Sequence, residues 1–202
     1  VFTVNLSAPS ERNVEVTFTT ESVTANENED FTAVRGTVEI PPGETSGEIA
    51  ITVNGDTTFE DDETLRLSLI KGDDSYRLAA DLAPTIATIK NDDPVPLMTS
   101  NVQSAIEGES MTVNFELDRL SGKDISFTLT PIDNEGGVGV AKLGEDYGFS
   151  TQTVTIPSGS DNVSFSIPTF VDDILEGQEF VELEISDLIN VQLESEKIKQ
   201  EK

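Results

Sequence analysis

The chain has 202 residues, 39 Asp and Glu against 12 Lys and Arg for a formal net charge of −27, and no Cys, His or Trp. These absences exclude disulfides, thiol nucleophiles, iron–sulfur clusters, a Ser-His-Asp triad and a Cys/His zinc site. Residues 1–93 hold 19 acids and 6 bases and residues 94–202 hold 20 and 6, so both halves repel nucleic acid and anionic membranes and attract cations.

The apolar residues alternate with polar ones along most of the chain, the signature of strands with one face in a core. The first strand is read at Phe2–Leu6 and the second at Val14, Val16 and Phe18. Thr37–Ile40 runs into the turn Pro41-Pro42-Gly43, and the alternation Ile49, Ile51, Val53 runs into Asn54-Gly55-Asp56. Leu65, Leu67 and Leu69 precede the turn Lys71-Gly72-Asp73-Asp74, and Ala83–Ile89 leads to Asn91-Asp92-Asp93 and then Pro94-Val95-Pro96. Beyond these prolines come Leu97–Glu107, Met111–Leu117 and the alternation Ile125, Phe127, Leu129. A glycine-rich loop at Asn134–Gly139 separates them from Thr153–Ile156, the turn Pro157-Ser158-Gly159, and the alternations Val163, Phe165, Ile167 and Val181, Leu183, Ile185. The chain then trails into Leu193–Lys197. No stretch has helical period and no apolar run spans a bilayer; the N-terminus does not resemble a secretory signal. Short strands between Gly, Pro and Asn/Asp turns predict an all-β protein of antiparallel β-sandwiches.

The chain repeats itself. Thr37–Gly43 recurs as Thr153–Gly159 at an offset of 116, together with Asp30-Phe31 and Asp146-Tyr147, Asp56 and Asp172, Glu60 and Glu176, and Glu63 and Glu179. Upstream, Val14–Phe18 matches Ile125–Leu129 at an offset of 111, the difference falling in the glycine-rich loop. Two copies of one domain are therefore expected, residues 1–93 and 97–202, joined by a short, stiff proline linker at 94–96. The second copy has an opening strand at Leu97–Glu107 for which the first has no equivalent, and its closing segment lacks the acidic triplet. This reads as a span of a longer array, or as a sheet edge open to strand addition from a neighbour.

The loop acids carry the chemistry. Asp56–Glu63 and Asp172–Glu179 share the skeleton D-x-x-x-E-x-x-E, joined by Asp30 or Asp146 and, in the first copy, by Asp92 and Asp93. Calcium takes six to eight oxygens, mostly carboxylates and carbonyls, which acids on adjacent loops supply. Solubility alone also puts acids on loops, but gives no reason for them to return in register. No EF-hand loop is present, Gly136-Gly137-Val138-Gly139 lacks the Asp of a calcium β-roll, and crowded turn acids without an aromatic platform do not suit glycoside hydrolysis. Asn5-Leu6-Ser7 and Asn162-Val163-Ser164 match the glycosylation sequon.

On these motifs, with Gly36–Gly43, Thr88–Asp93, Glu107-Gly108 and Glu145–Tyr147, the chain resembles the Calx-beta family, a β-sandwich repeat of sodium–calcium exchangers and extracellular adhesion proteins. The resemblance implies two tandem immunoglobulin-like antiparallel β-sandwiches of Calx-beta type, calcium (Ca2+) bound at loop tips, and no enzymatic activity. In the first copy the implied ligands are Asp30, Asp56, Glu60, Glu63, Asp92 and Asp93, with the Thr58 carbonyl. In the second they are Glu107, Asp146, Asp172, Asp173, Glu176 and Glu179, with the Ile174 carbonyl. Gly55 and Asn91 depart from the acids of strong binders. The expected role is a calcium-stiffened spacer of an extracellular or cell-surface protein, its partners calcium ions and neighbouring repeats or surface proteins. An intracellular calcium sensor of exchanger type and a metal-free or self-assembling structural repeat are the alternatives.

Overall fold

Period-two alternation demands that each strand find a second sheet to cover its apolar face, and a computed structural model of the chain shows how it does so. The structure describes residues 1–70, 76–80, 82–132, 139–173, 177–194 and 198–201. It is all-β, with no helix among the described residues. The chain divides into two compact units, Val1–Asp56 with Asp61–Asn91, and Thr57–Glu60 with Asp92–Lys202.

The first unit contains β1 (Phe2–Asn5), β2 (Val14–Ser22), β3 (Arg35–Ile40), β4 (Ser46–Ile49), β5 (Glu63–Ile70) and β6 (Thr85–Ile89). One antiparallel sheet has the order β3-β2-β5-β6, and β1 pairs with β4 in the other. The alternating residues of β2 and β5 face inward as their period requires, Val14, Val16 and Phe18 against Val4, Val38, Ile40, Ile49 and Leu67. A smaller cluster of Ala25, Phe31 and Leu65 sits under the loops at one end. The alternation through Ile51 and Val53 does not extend β4. The strand ends at Ile49, paired with Phe2, and Val53 instead bridges Phe31. Chain thus moves from the sheet to the loops that carry the acids.

The second unit contains β7 (Leu97–Gln103), β8 (Ser110–Leu117), β9 (Ile125–Pro131), β10 (Gln152–Ile156), β11 (Asn162–Pro168), β12 (Phe180–Ile189), β13 (Gln192–Leu193) and β14 (Ile198–Glu201). Its sheets have the orders β10-β9-β12-β14 and β11-β8-β7-β13. All pairs are antiparallel except β13 with β7. The core is centred on Met111, Phe115, Ile125, Phe127, Leu129 and Ile167. β3–β4 and β10–β11 turn in the same way. Gly43 and Gly159 adopt φ of +86° and +77°, left-handed values that cost glycine no Cβ clash, and their N–H groups donate to the carbonyls of Ser10 and Ser121, each at 2.8 Å.

Asp118 ends β8's unit of pairing with two kinds of donor. Leu97 N–H donates to its Oδ1 at 2.8 Å, and the Arg119 guanidinium donates to both oxygens. The Arg119 contact holds the Asp118 carboxyl below the usual carboxylate range. A depressed carboxylate stabilises the fold above its unfolded pKa and loses that contribution as pH falls through the folded value. Carboxyl NMR is expected to find Asp118 titrating below the usual carboxylate range, and Arg119→Ala to move it upward with little effect on stability, as for an exposed ion pair. An unchanged midpoint in Arg119→Ala would refute the pairing.

Candidate metal centre

Both copies build the same small lock from an Asp–aromatic pair. In the first, Asp30 is buried, and its Oδ2 accepts the Asn26 N–H at 2.6 Å. Its own N–H donates to the Asn26 carbonyl, and its carbonyl accepts the Asn54 N–H at 2.9 Å. In the second, Asp146 is buried, Oδ2 accepts the Lys142 N–H at 2.7 Å, and the carbonyl accepts the Phe170 N–H at 2.8 Å. The aromatic side chains of Phe31 and Tyr147 are fully buried beside them. Aromatic burial anchors the loop, and the carboxylate closes it. Each Asp therefore has a structural task that sequence reading assigned only to metal.

The Asp30 lock brings the loop at Asn54 close, and that loop continues into Asp56 and Glu60. Carboxylate oxygens of Asp30, Asp56 and Glu60 lie within 4.8 Å of one another. Calcium–oxygen bonds of ~2.4 Å put ligand oxygens no more than ~4.8 Å apart across the ion, so this donor set fits calcium. Two carboxylates at this spacing repel by ~3 kcal/mol at an effective dielectric of 20. Asp56 is exposed and Glu60 half-buried, so solvent screening reduces the net effect to on the order of 1 kcal/mol.

The other candidates are placed less tightly. Thr58 lies half-buried in the loop between Asp56 and Glu60, and Glu63 opens β5. Asp92 is exposed and Asp93 half-buried; none of these joins the carboxylate group among the described residues. In the second copy Glu107 and Glu179 are half-buried and Asp172 and Asp173 exposed, and with Asp146 they form no such group among the described residues. Ile174 and Glu176 lie outside the described residues.

One neighbour was not singled out from the sequence. Asp62 pairs with the Lys90 ammonium and accepts the Asn91 N–H at 3.1 Å. Lys90 holds the Asp62 carboxyl below its usual range. The signal is a cation at the end of β6 facing an acid at the start of β5, readable only once Glu63 and Ile89 are known to pair.

A model of the Calx-beta domain matches residues 1–95 and again 90–199. Among solved structures, CBD12 from CALX1.2 is 16% identical over 92% of this chain and 72% of its own, with a TM-score of 0.43. The calcium binding domain CBD12 of CALX1.1 is 15% identical over 92% and 71%, also at 0.43. The apo-form Calx CBD1 domain is 20% identical over 46% and 77%, at 0.37. No curated protein matches the chain.

Proposed function

The chain belongs to the Calx-beta family, with two successive copies of its domain, and on that footing we propose that it is a calcium-binding spacer and interaction module of a cell-surface or secreted protein. The observation that carries the reading is the convergence of Asp30, Asp56 and Glu60. These three hold the ion, and Glu63 and the Thr58 carbonyl lie on the same stretch of chain to complete its shell. A bound calcium supplies the positive charge that offsets their repulsion. Asp30 is already fixed by the Asn26 N–H, so binding orders the Asp56–Glu60 loop against a rigid partner. Asp92 and Asp93 stand beside the Pro94-Val95-Pro96 linker in sequence, and we extend the reading to the joint: calcium taken there stiffens it. The second copy's Glu107, Asp146, Asp172, Asp173 and Glu179, with Ile174 and Glu176, are assigned the corresponding role. Nothing in this set activates a nucleophile, and the reading is of a binding module rather than an enzyme.

Thermal unfolding in excess chelator, in calcium and in magnesium tests it. At 100 times the dissociation constant a ligand adds ~2.7 kcal/mol, which for a domain of this size raises the midpoint by about 10–20 °C. A calcium-specific rise is expected, and a midpoint unchanged by calcium would overturn the reading. Small-angle scattering with and without calcium tests the stiffening separately.

A further inference from the structure

We propose that Asn54-Gly55 is a self-modifying site, at which Asn54 deamidates through a cyclic imide and the isoaspartate product disarms the calcium centre beside it; this second part rests on the calcium reading above. Asn54 is the one Asn of the chain followed by Gly, and every other Asn precedes a residue with a side chain. A Cβ on the following residue crowds its main-chain nitrogen and narrows its backbone freedom, and glycine imposes neither limit. Gly55 is exposed and lies in no strand, and a Cβ placed on it would meet nothing within 4 Å. The space its nitrogen needs to reach the Asn54 side chain is therefore open. Hydrogen bonds hold Asn54 mainly from one side. Its N–H donates to the Asp30 carbonyl at 2.9 Å, which leaves rotation about its Cα–C and Cα–Cβ bonds, the two that bring the Gly55 nitrogen to Cγ. Its Nδ2 donates to the Asn28 carbonyl at 3.3 Å in an exposed setting, a long bond of small net worth. The second copy shows that the lock does not need the amide. At the offset of 116 Phe170 stands in place of Asn54, and its N–H makes the same bond, to the Asp146 carbonyl at 2.8 Å.

Base removes the Gly55 amide proton, and the nitrogen attacks Asn54 Cγ. The N–Cγ bond forms, the Cγ–Nδ2 bond breaks, and Nδ2 leaves as ammonia with a proton drawn from solvent. Water then opens the imide at either carbonyl, giving aspartate or, as the main product at an unhindered site, isoaspartate. Both products exchange ammonia for water and add a negative charge. Isoaspartate also carries the main chain through Cβ and Cγ, which puts an extra carbon between the Asn54 nitrogen, pinned to Asp30, and Asp56. Carboxylate oxygens of Asp30 and Asp56 lie within 4.8 Å of each other, a convergence set by that short span of chain. The extra carbon displaces Asp56, and calcium bridges ligand oxygens only up to ~4.8 Å apart.

The experiment ages the 202-residue chain in chelator, in warm, mildly alkaline buffer, and follows by mass spectrometry the tryptic peptide Gly36–Arg66, in which Asn54 is the only side-chain amide. Replacement of ammonia by water is expected there sooner than at any other Asn, with isoaspartate the larger product. Gly55→Ala is expected to slow it at least roughly tenfold, because the added Cβ hinders the attacking nitrogen. The isoaspartate fraction is expected to bind calcium at least roughly tenfold more weakly, the scale for disturbed ligand support. Asn54→Asp adds the charge but keeps the main chain, and is expected to retain the calcium-induced rise in midpoint. Faster modification at another Asn, or an equal rate in Gly55→Ala, would overturn the modification site. An isoaspartate fraction that keeps the calcium response of the fresh chain, or an equal loss in Asn54→Asp, would overturn the disarming. A fresh chain without a calcium response would overturn the calcium reading and the disarming together, while the mass change at Asn54 would still support the modification site.

Discussion

Phe127→Ala is expected to destabilise the second copy by about 3–5 kcal/mol. The Phe127 side chain is fully buried in β9, and its ring lies 4.6 Å from that of Phe115 at 58°. Three terms add: the lost transfer of an aromatic ring from water, the lost ring–ring contact, and the cavity left where neighbours cannot close in. The neighbours are themselves strand residues held in ladders on both sides, β10 and β12, so the backbone cannot collapse into the space. At about 4–8 °C per kcal/mol for a domain of this size, the midpoint falls by at least ~12 °C. Phe165 offers the contrast. It stacks on Phe115 at 6.0 Å but is only part-buried, so Phe165→Ala is expected to cost clearly less. Calorimetry of the two variants decides the matter. A Phe127→Ala loss below 1 kcal/mol would mean that this core repacks, contrary to the argument.

The same alternation that makes Phe127 a core residue made its strand readable. β2, β5, β8, β9, β11 and β12 each bury one face, and a one-residue slip would expose every inward side chain. The turns from β3 to β4 and from β10 to β11 were readable because Gly43 and Gly159 hold φ values that other residues avoid. The end of β4 was not, since Val53 bridges Phe31, a long-range pairing that the alternation of Ile51 and Val53 does not display. β13 was not either, because two residues paired parallel with β7 leave no period to detect. At the candidate site, repetition of acids in register pointed to Asp30, Asp56 and Glu60, and those three meet. The second task of Asp30 and Asp146 as loop locks escaped notice, because a carboxylate accepting a backbone N–H four residues back leaves no mark distinct from that of a metal ligand. The Asp62–Lys90 pair escaped for a different reason: its partners are far apart in sequence and meet only through the β5–β6 ladder.

That double duty gives opposite expectations for two acids of one site. Asp56→Asn removes a charge from an exposed loop position. In chelator the relief of repulsion from Asp30 and Glu60, on the order of 1 kcal/mol after screening, outweighs the few tenths usual for a surface change. Its metal-free midpoint is therefore expected to rise by several degrees. Asp30→Ala relieves the same repulsion but strands the Asn26 N–H, which now lacks the Oδ2 acceptor it holds at 2.6 Å. Losing a bond to a charged group in a buried setting costs about 1.5–3 kcal/mol, which exceeds the relief, so the metal-free midpoint is expected to fall. With calcium added, both variants are expected to lose most of the stabilisation, because each removes one of three convergent carboxylates. Unfolding curves in chelator and in calcium separate the contributions. If Asp56→Asn keeps the full calcium shift, the three acids are not the metal centre. If it instead lowers the metal-free midpoint as Asp30→Ala does, Asp56 is held by the loop for structural reasons, and charge repulsion is not the force that a cation relieves there.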